Sequence, residues 1–313
     1  MSVPCSACAA ESLFAEVSTP GFEVQRCRAC GHRMARHLAV APSTDYHEQY
    51  DQGAFLESLR ITRVRQARRI LGWIAAAAPG ATRLLDFGCG RGWLLDEARA
   101  AGWQVMGADT SAKATELLRG RGIPAVQVAP GDRELPPAVR ALLPEVLTLL
   151  DVIEHFPADC LLQRQGELVA SAGPAVRLVV IKVPNSGGLL YKTASALRRA
   201  GAPRALQQLY QVGSAPPHHH YFTARSLQRL LARADLAVVA LERDRDIEPS
   251  ALAARAGLRL PRPLVQLAGT LAAAACRAMR MEDSLICLVR PTPQISATAA
   301  GPAVARPARH SAP

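Results

Sequence analysis

The stretch from Leu84 to Leu95 (Leu-Leu-Asp-Phe-Gly-Cys-Gly-Arg-Gly-Trp-Leu-Leu) constrains the fold more than any other. The apolar residues before Asp86 suit a strand buried on both faces of a parallel sheet. Gly88, Gly90 and Gly92 stand at alternate positions, where missing side chains let the backbone turn sharply and approach a ligand closely. Trp93, Leu94 and Leu95 then open a helix whose N-terminus faces the turn. Asp86 adds a carboxylate two residues before the first glycine. A dinucleotide fingerprint, Gly-x-Gly-x-x-Gly, fits poorly, because the third glycine is residue 92 and residue 93 is Trp. A strand-to-helix turn without a ligand is the remaining plain alternative.

Asp86, Gly88, Gly90 and Gly92 match Asp-x-Gly-x-Gly-x-Gly in full, and the segment resembles the cofactor motif of class I S-adenosylmethionine (SAM)-dependent methyltransferases. The resemblance implies a doubly wound, seven-stranded, mostly parallel α/β sheet with SAM at the glycine turn. Successive strands are expected at 103–109, 123–128, 145–150, 176–183, 237–242 and 283–289, the last antiparallel at the edge beside the one before it. Asp109 ends the second strand, where an acid in this fold takes ribose hydroxyls; it also precedes a helix and reads equally as a cap. Asp132, after the third strand, is an adenine-contact candidate or a solvated turn residue. Tyr50, in the linker, completes the cofactor-binding set.

The first forty residues hold Cys5-x-x-Cys8 and Cys27-x-x-Cys30, the spacing of a zinc ribbon. Four thiolates from two tight turns close a tetrahedral structural site and organise a segment too small for its own core. Two disulfides are the alternative; without an apolar, basic-flanked leader the chain is expected in the cytoplasm, where thiols stay reduced. Cys89, Cys160, Cys276 and Cys287 sit singly among apolar residues and are expected in the core.

After the fourth strand come Asp151, Glu154 and His155, two carboxylates and an imidazole within one turn. They sit at the carboxyl end of a parallel strand, where open α/β sheets bind ligands. Such a group binds a hard divalent cation or deprotonates a hydroxyl; the plain alternative is an N-cap Asp, a first-turn Glu and a surface His. The segment is similar to the acid-x-x-Glu-His of ubiquinone-type methyltransferases. In several of those relatives the group binds a divalent metal, magnesium or another, that activates an acceptor hydroxyl. Asp151 stands where Glu is more frequent. The resemblance extends to Pro184-Asn185 after the fifth strand and to His218, His219 and His220 before Tyr221, Phe222 and Thr223. It implies catalytic roles for Asp151, Glu154, His155 and His219, with His219 the favoured loop base, and a metal set of Asp151, Glu154, His155 and His218.

The domain reading is a zinc ribbon over 1–41, a linker and N-terminal helix over 42–79, a methyltransferase domain over 80–290 and a disordered Pro/Ala/Ser tail over 291–313. A cap segment over 186–217 and an Arg/Ala/Pro-rich insert over 243–282 interrupt the domain. Chains arranged this way imply O-methylation of a small-molecule or sugar hydroxyl in polysaccharide, lipid or secondary-metabolite biosynthesis. The net charge of +11 raises nucleic acid as a partner, but the arginines are scattered and no basic stripe with interleaved aromatics appears. An RNA 2′-hydroxyl methyltransferase and a non-catalytic ribbon scaffold are the rival readings. Leu264 to Met281 is too interrupted for a transmembrane helix and leaves contact with a membrane surface open. Oligomeric state is not legible.

Overall fold

The computed structural model describes residues 4–19, 21–37, 53–130, 132, 134–214, 216–246 and 262–292. Tyr50, the linker around it and the expected disordered tail beyond residue 292 lie outside the described residues.

Strands β4 (Arg83–Phe87), β5 (Gln104–Asp109), β6 (Ala125–Gln127), β7 (Val146–Leu150), β8 (Leu178–Pro184), β10 (Leu236–Asp244) and β11 (Ser284–Pro291) form one sheet, ordered β10-β11-β8-β7-β4-β5-β6. β4 to β8 pair in parallel, and β11 runs antiparallel to both β8 and β10. The last strand is therefore antiparallel, as expected, but it is not the edge. It inserts between β8 and β10, where its residues from Ser284 to Val289 are buried; β10, with Val238 and Val239 exposed, takes the edge. The strand order reverses between β4 and β7, which opens a ligand crevice at their carboxyl ends.

Helices cover both faces. α1 (Gly53–Ala77) buries Ala67, Ile70 and Ile74 at helical spacing. It shares one core with α2 (Trp93–Ala100) and α3 (Ala112–Gly120), which bury Leu94, Leu95, Ala98 and Leu118 against Leu84, Val105 and Val146. α4 (Pro137–Leu142), α5 (Leu161–Ala172) and α8 (Ala224–Arg233) cover the opposite face. The cap is two helices, α6 (Leu189–Arg199) and α7 (Arg204–Leu209), because Gly201 takes a left-handed φ of 89° and Pro203 follows. Asp283 caps α6 from a distance, its Oδ1 accepting from the Leu190 N–H at 2.8 Å. α9 (Arg262–Ala278), within the insert, exposes Leu267 and Leu271.

The N-terminal segment is not a separate module. β1 (Leu13–Thr19), β2 (Phe22–Cys27) and β3 (Arg33–His37) form an antiparallel sheet that β9 (His220–Tyr221) extends from the far end of the chain. Cys5, Ala7, Cys27 and Cys30 pack into the same core as Phe222 and Leu227. The sheet of the N-terminal segment thus includes a strand from residues 220–221. Of the lone cysteines, Cys89 and Cys287 are buried, whereas Cys160 and Cys276 are partly exposed.

Candidate active site

The glycine turn between β4 and α2 is built by backbone conformations that favour glycine: φ is 74° at Gly88, 49° at Gly90 and 73° at Gly92. A β-carbon at Gly88 would meet Val152 Cγ2 at 2.5 Å, so this turn lies directly against the Asp151–His155 turn. At Gly90 nothing stands within 4 Å of that position, which leaves a bare backbone cradle. Asp109 braces it: Oδ2 accepts from the Gly90 N–H at 2.7 Å, and Oδ1 accepts from the Ser111 N–H at 2.9 Å. Ser111, not Asp109, caps α3 through the Ala114 N–H. Each Asp109 oxygen keeps a lone pair for a ligand hydroxyl. Asp86 is buried and accepts from Thr148 Oγ1 at 2.6 Å. Burial, reinforced by the nearby Asp109 carboxylate, pushes Asp86 up to about 7.

Beyond the end of β7 the chain makes a left-handed residue at Asp151, φ 58°, then a single turn of 3-10 helix over Ile153–His155. A carboxylate oxygen of Glu154 and a ring nitrogen from each of His155 and His218 lie within 4.8 Å of one another. His155 Nδ1 donates to the Pro217 carbonyl at 2.9 Å, which fixes the tautomer and leaves Nε2 with its lone pair. Glu154 is buried, and neither of its carboxylate oxygens has a hydrogen-bond partner among the described residues. The same holds for His218 Nδ1 and Gln211 Oε1, while Gln211 Nε2 lies 3.1 Å from His218 Nε2. Turning the Gln211 amide over lets its oxygen accept from His218 Nε2–H and leaves Nδ1 as a free acceptor. Burial raises Glu154 well above the carboxylate range, with the Asp151 charge adding to it, and lowers His155 and His218. Lone pairs converge here without donors, the arrangement a cation satisfies.

Asp151 stands apart from that triad. Lys182 Nζ contacts its two oxygens at 2.6 and 2.9 Å, and Arg63 reaches Oδ2 at 2.7 Å. Lys182 also meets Asp246 at 3.0 Å, and Ser284 donates to the other Asp246 oxygen at 2.5 Å. Of the metal set expected from the sequence, the structure brings Glu154, His155 and His218 together, whereas Asp151 is ion-paired with Lys182 and Arg63. His219 is also outside that triad. Successive side chains of an extended segment point to opposite sides, and the His219 ring packs edge-on against His37, with centroids 5.2 Å apart.

The ribbon cysteines come together as a set: Cys5 and Cys30 sulfurs are 3.7 Å apart, and so are those of Cys8 and Cys27. That is far beyond the ~2.05 Å of a disulfide. It is close to the ~3.8 Å edge of a tetrahedron with ~2.3 Å metal–sulfur bonds. Hydrogen bonds from Cys30 and from the Cys8 and Ala7 amides bring Cys5 down to about 5. The hydrogen bond to Cys5 and burial raise Cys30 in return.

A family model described as "Methyltransferase domain" matches residues 57–241, more than half of the chain. The chain belongs to the methyltransferase family. It is an enzyme that transfers methyl groups. No curated protein matches it. Among solved structures, this methyltransferase resembles a SAM-dependent methyltransferase from Archaeoglobus fulgidus at 15% identity, over 78% of this chain and 97% of that one, with TM-score 0.49. It also resembles magnesium protoporphyrin IX methyltransferase from Synechocystis PCC 6803 with bound S-adenosylhomocysteine, at 15% identity, over 79% and 93% of the two chains, with TM-score 0.48. A third is geranyl diphosphate C-methyltransferase from Streptomyces coelicolor A3(2), at 14% identity, over 80% and 87%, with TM-score 0.46.

In the methyltransferase, Asp132 is exposed and caps its own turn, Oδ2 accepting from the Ala129 N–H at 2.7 Å. Sequence reasoning missed three residues. Lys182 interrupts the apolar run Val179–Val183 yet is 1% exposed, and that interruption was its signal. His32 gave none, since its partner His220 comes from a distant segment, and Gln211 gave none, since it meets His218 only through the turn that lies between them. Among the described residues no helix is long and apolar enough to cross a membrane.

Proposed function

We propose that this methyltransferase transfers the methyl group of SAM to a hydroxyl of a small-molecule or sugar acceptor, with a divalent cation held by Glu154, His155 and His218 and a structural zinc held by Cys5, Cys8, Cys27 and Cys30. The observation that carries this reading is the unpartnered, buried Glu154 carboxylate beside two imidazoles. This group abuts the glycine turn through Val152. Two imidazoles and one carboxylate suit a transition ion better than magnesium.

Glu154, His155 and His218 would hold the cation, which would supply Lewis-acid polarisation of the acceptor hydroxyl. The chain's own groups do the rest. Gly88, Gly90 and Gly92 admit the donor close to the backbone, and Asp109 takes its ribose. His155, its tautomer fixed by Pro217, and His218, fixed by Gln211, offer unprotonated nitrogens to the cation, so the hydroxyl proton is released to solvent rather than to either ring. Lys182 and Arg63 hold Asp151 and Asp246 as a rigid ionic floor beside Glu154. Catalysis in this arrangement is mainly positioning of the methyl carbon and the acceptor oxygen in line.

The test is transfer of labelled methyl from SAM into a panel of sugar nucleotides, hydroxylated small molecules and short RNA, with manganese present. Incorporation at a hydroxyl should drop ~100-fold or more in Glu154→Gln, with S-adenosylhomocysteine affinity unchanged. Label on carbon or nitrogen, or full activity in that variant, would overturn the reading. A ribose 2′-hydroxyl is chemically equivalent at this triad; an RNA acceptor would show itself by steep loss of binding with salt.

A further inference from the structure

His218, His219 and His220 lie on a segment held from two sides. On one side is the ribbon: the Ala35 N–H donates to the His219 carbonyl at 2.7 Å, and His37 Nε2 donates to the His218 carbonyl at 2.9 Å. Arg33 and Met34 sit opposite Tyr221 and His220 in register. On the other side is the triad turn: the His219 N–H donates to the Glu154 carbonyl at 2.8 Å.

A side-chain chain of hydrogen bonds runs through the same place. His220 Nε2 lies 2.9 Å from the Phe156 carbonyl, and His220 Nδ1 lies 3.1 Å from His32 Nε2. A carbonyl only accepts, so His220 carries its proton on Nε2 and accepts at Nδ1. His32 must then carry its proton on Nε2, and the chain has one direction, His32 to His220 to Phe156. Both rings are fully buried and stack with centroids 5.1 Å apart. His32 is fixed in turn by the second knuckle: its carbonyl accepts from the Cys27 N–H at 2.9 Å. Thr223 Oγ1 donates to the Cys30 carbonyl at 2.8 Å and ties the knuckle to the start of α8.

We infer that the cysteine knuckles, acting through His32 and His37, are the positioning element of the Glu154–His155–His218 triad. The His155–Pro217 and His219–Glu154 hydrogen bonds join the segment that carries His218 to the turn that carries Glu154 and His155, and His32 and His37 brace that segment from the ribbon side. The inference rests on the reading of that triad as a cation site.

The experiment is Mn2+ titration of zinc-loaded full-length protein by electron paramagnetic resonance. Mn2+ is chosen because thiolates do not take it in preference to nitrogen and oxygen ligands. Wild type, His32→Leu, His32→Gln, His37→Leu and Glu154→Gln are compared, with S-adenosylhomocysteine affinity measured on each. His32→Leu should weaken Mn2+ binding about 10- to 100-fold, the usual cost of removing a group that orients a ligand. His32→Gln keeps a donor at the Nε2 position and should recover most of that loss, and cofactor affinity should not move. If His32→Leu does not fold, His37→Leu carries the same comparison through the His218 carbonyl. Wild-type Mn2+ affinity in the leucine variants would overturn the inference alone. No Mn2+ binding in wild type, or equal binding in Glu154→Gln, would overturn the cation reading and the inference with it.

Discussion

At the scale of single residues the site is defined by charges taken out of water. Asp86 is the cleanest case. It is buried, its side chain accepts from the Thr148 hydroxyl, and its carboxyl is pushed up to about 7 from an ordinary value near 4. The folded state therefore holds this proton more tightly than the unfolded chain does. Its contribution to stability is complete below about pH 4 and is lost as pH rises through about 7. Asp86→Asn removes the ionisation and keeps an acceptor for Thr148. The variant should match wild type in thermal denaturation at pH 4 and exceed it at pH 8; equal melting at pH 8 would show that Asp86 ionises without cost. Glu154 and Asp151 show how similar groups diverge by surroundings. Asp151 meets Lys182 and Arg63 and is neutralised, whereas Glu154, three residues on, is buried without a donor. The sequence motif presents both as equivalent acids. Only the packing of Lys182 from β8 and Arg63 from α1 separates them, so that division was not legible in residues 151–155.

At the scale of elements the β3–β9 pairing matters most, since it joins segments nearly two hundred residues apart. The cysteine spacing announces the knuckles because the chemistry is local: each pair closes a turn, with the Ala9 N–H donating to the Cys5 carbonyl at 2.8 Å and the Gly31 N–H to the Cys27 carbonyl at 2.9 Å. Nothing in the two residues His220 and Tyr221 announces a strand, because their pairing partner is supplied by tertiary contact. The parallel strands were readable for the opposite reason. β7 and β8 are buried along almost their whole length and read as apolar runs. The edge position of β10 was misassigned because both terminal strands carry apolar residues, and pattern alone does not order them. A consequence at this scale is that stripping the knuckle metal should loosen β9 and leave β4 to β8 intact. Hydrogen exchange at the Ala35 and His219 amides should rise at least tenfold in Cys8→Ser, about 1.4 kcal/mol of local protection. Unchanged exchange there would show that the knuckle fold does not depend on its thiolates.

At the scale of the whole molecule, one sheet places a glycine turn after β4 beside a polar triad after β7, and the ribbon sheet holds a histidine segment against that triad. The family and the cofactor turn follow from a short run of glycines whose backbone demands are strict. The acceptor is a matter of pocket shape, which no short motif encodes, and so it is reached only through the proposed chemistry. The net charge of +11 is spread over helices and turns, many of its arginines paired with carboxylates such as Glu16, Asp244 and Glu97. The measurement that bears most directly on the central claim is anomalous diffraction from crystals grown with zinc and soaked in Mn2+ and S-adenosylhomocysteine. The account predicts a zinc peak among Cys5, Cys8, Cys27 and Cys30, and a manganese peak among Glu154, His155 and His218. A manganese-free triad, with the cofactor product bound at Gly88–Gly92, would contradict it.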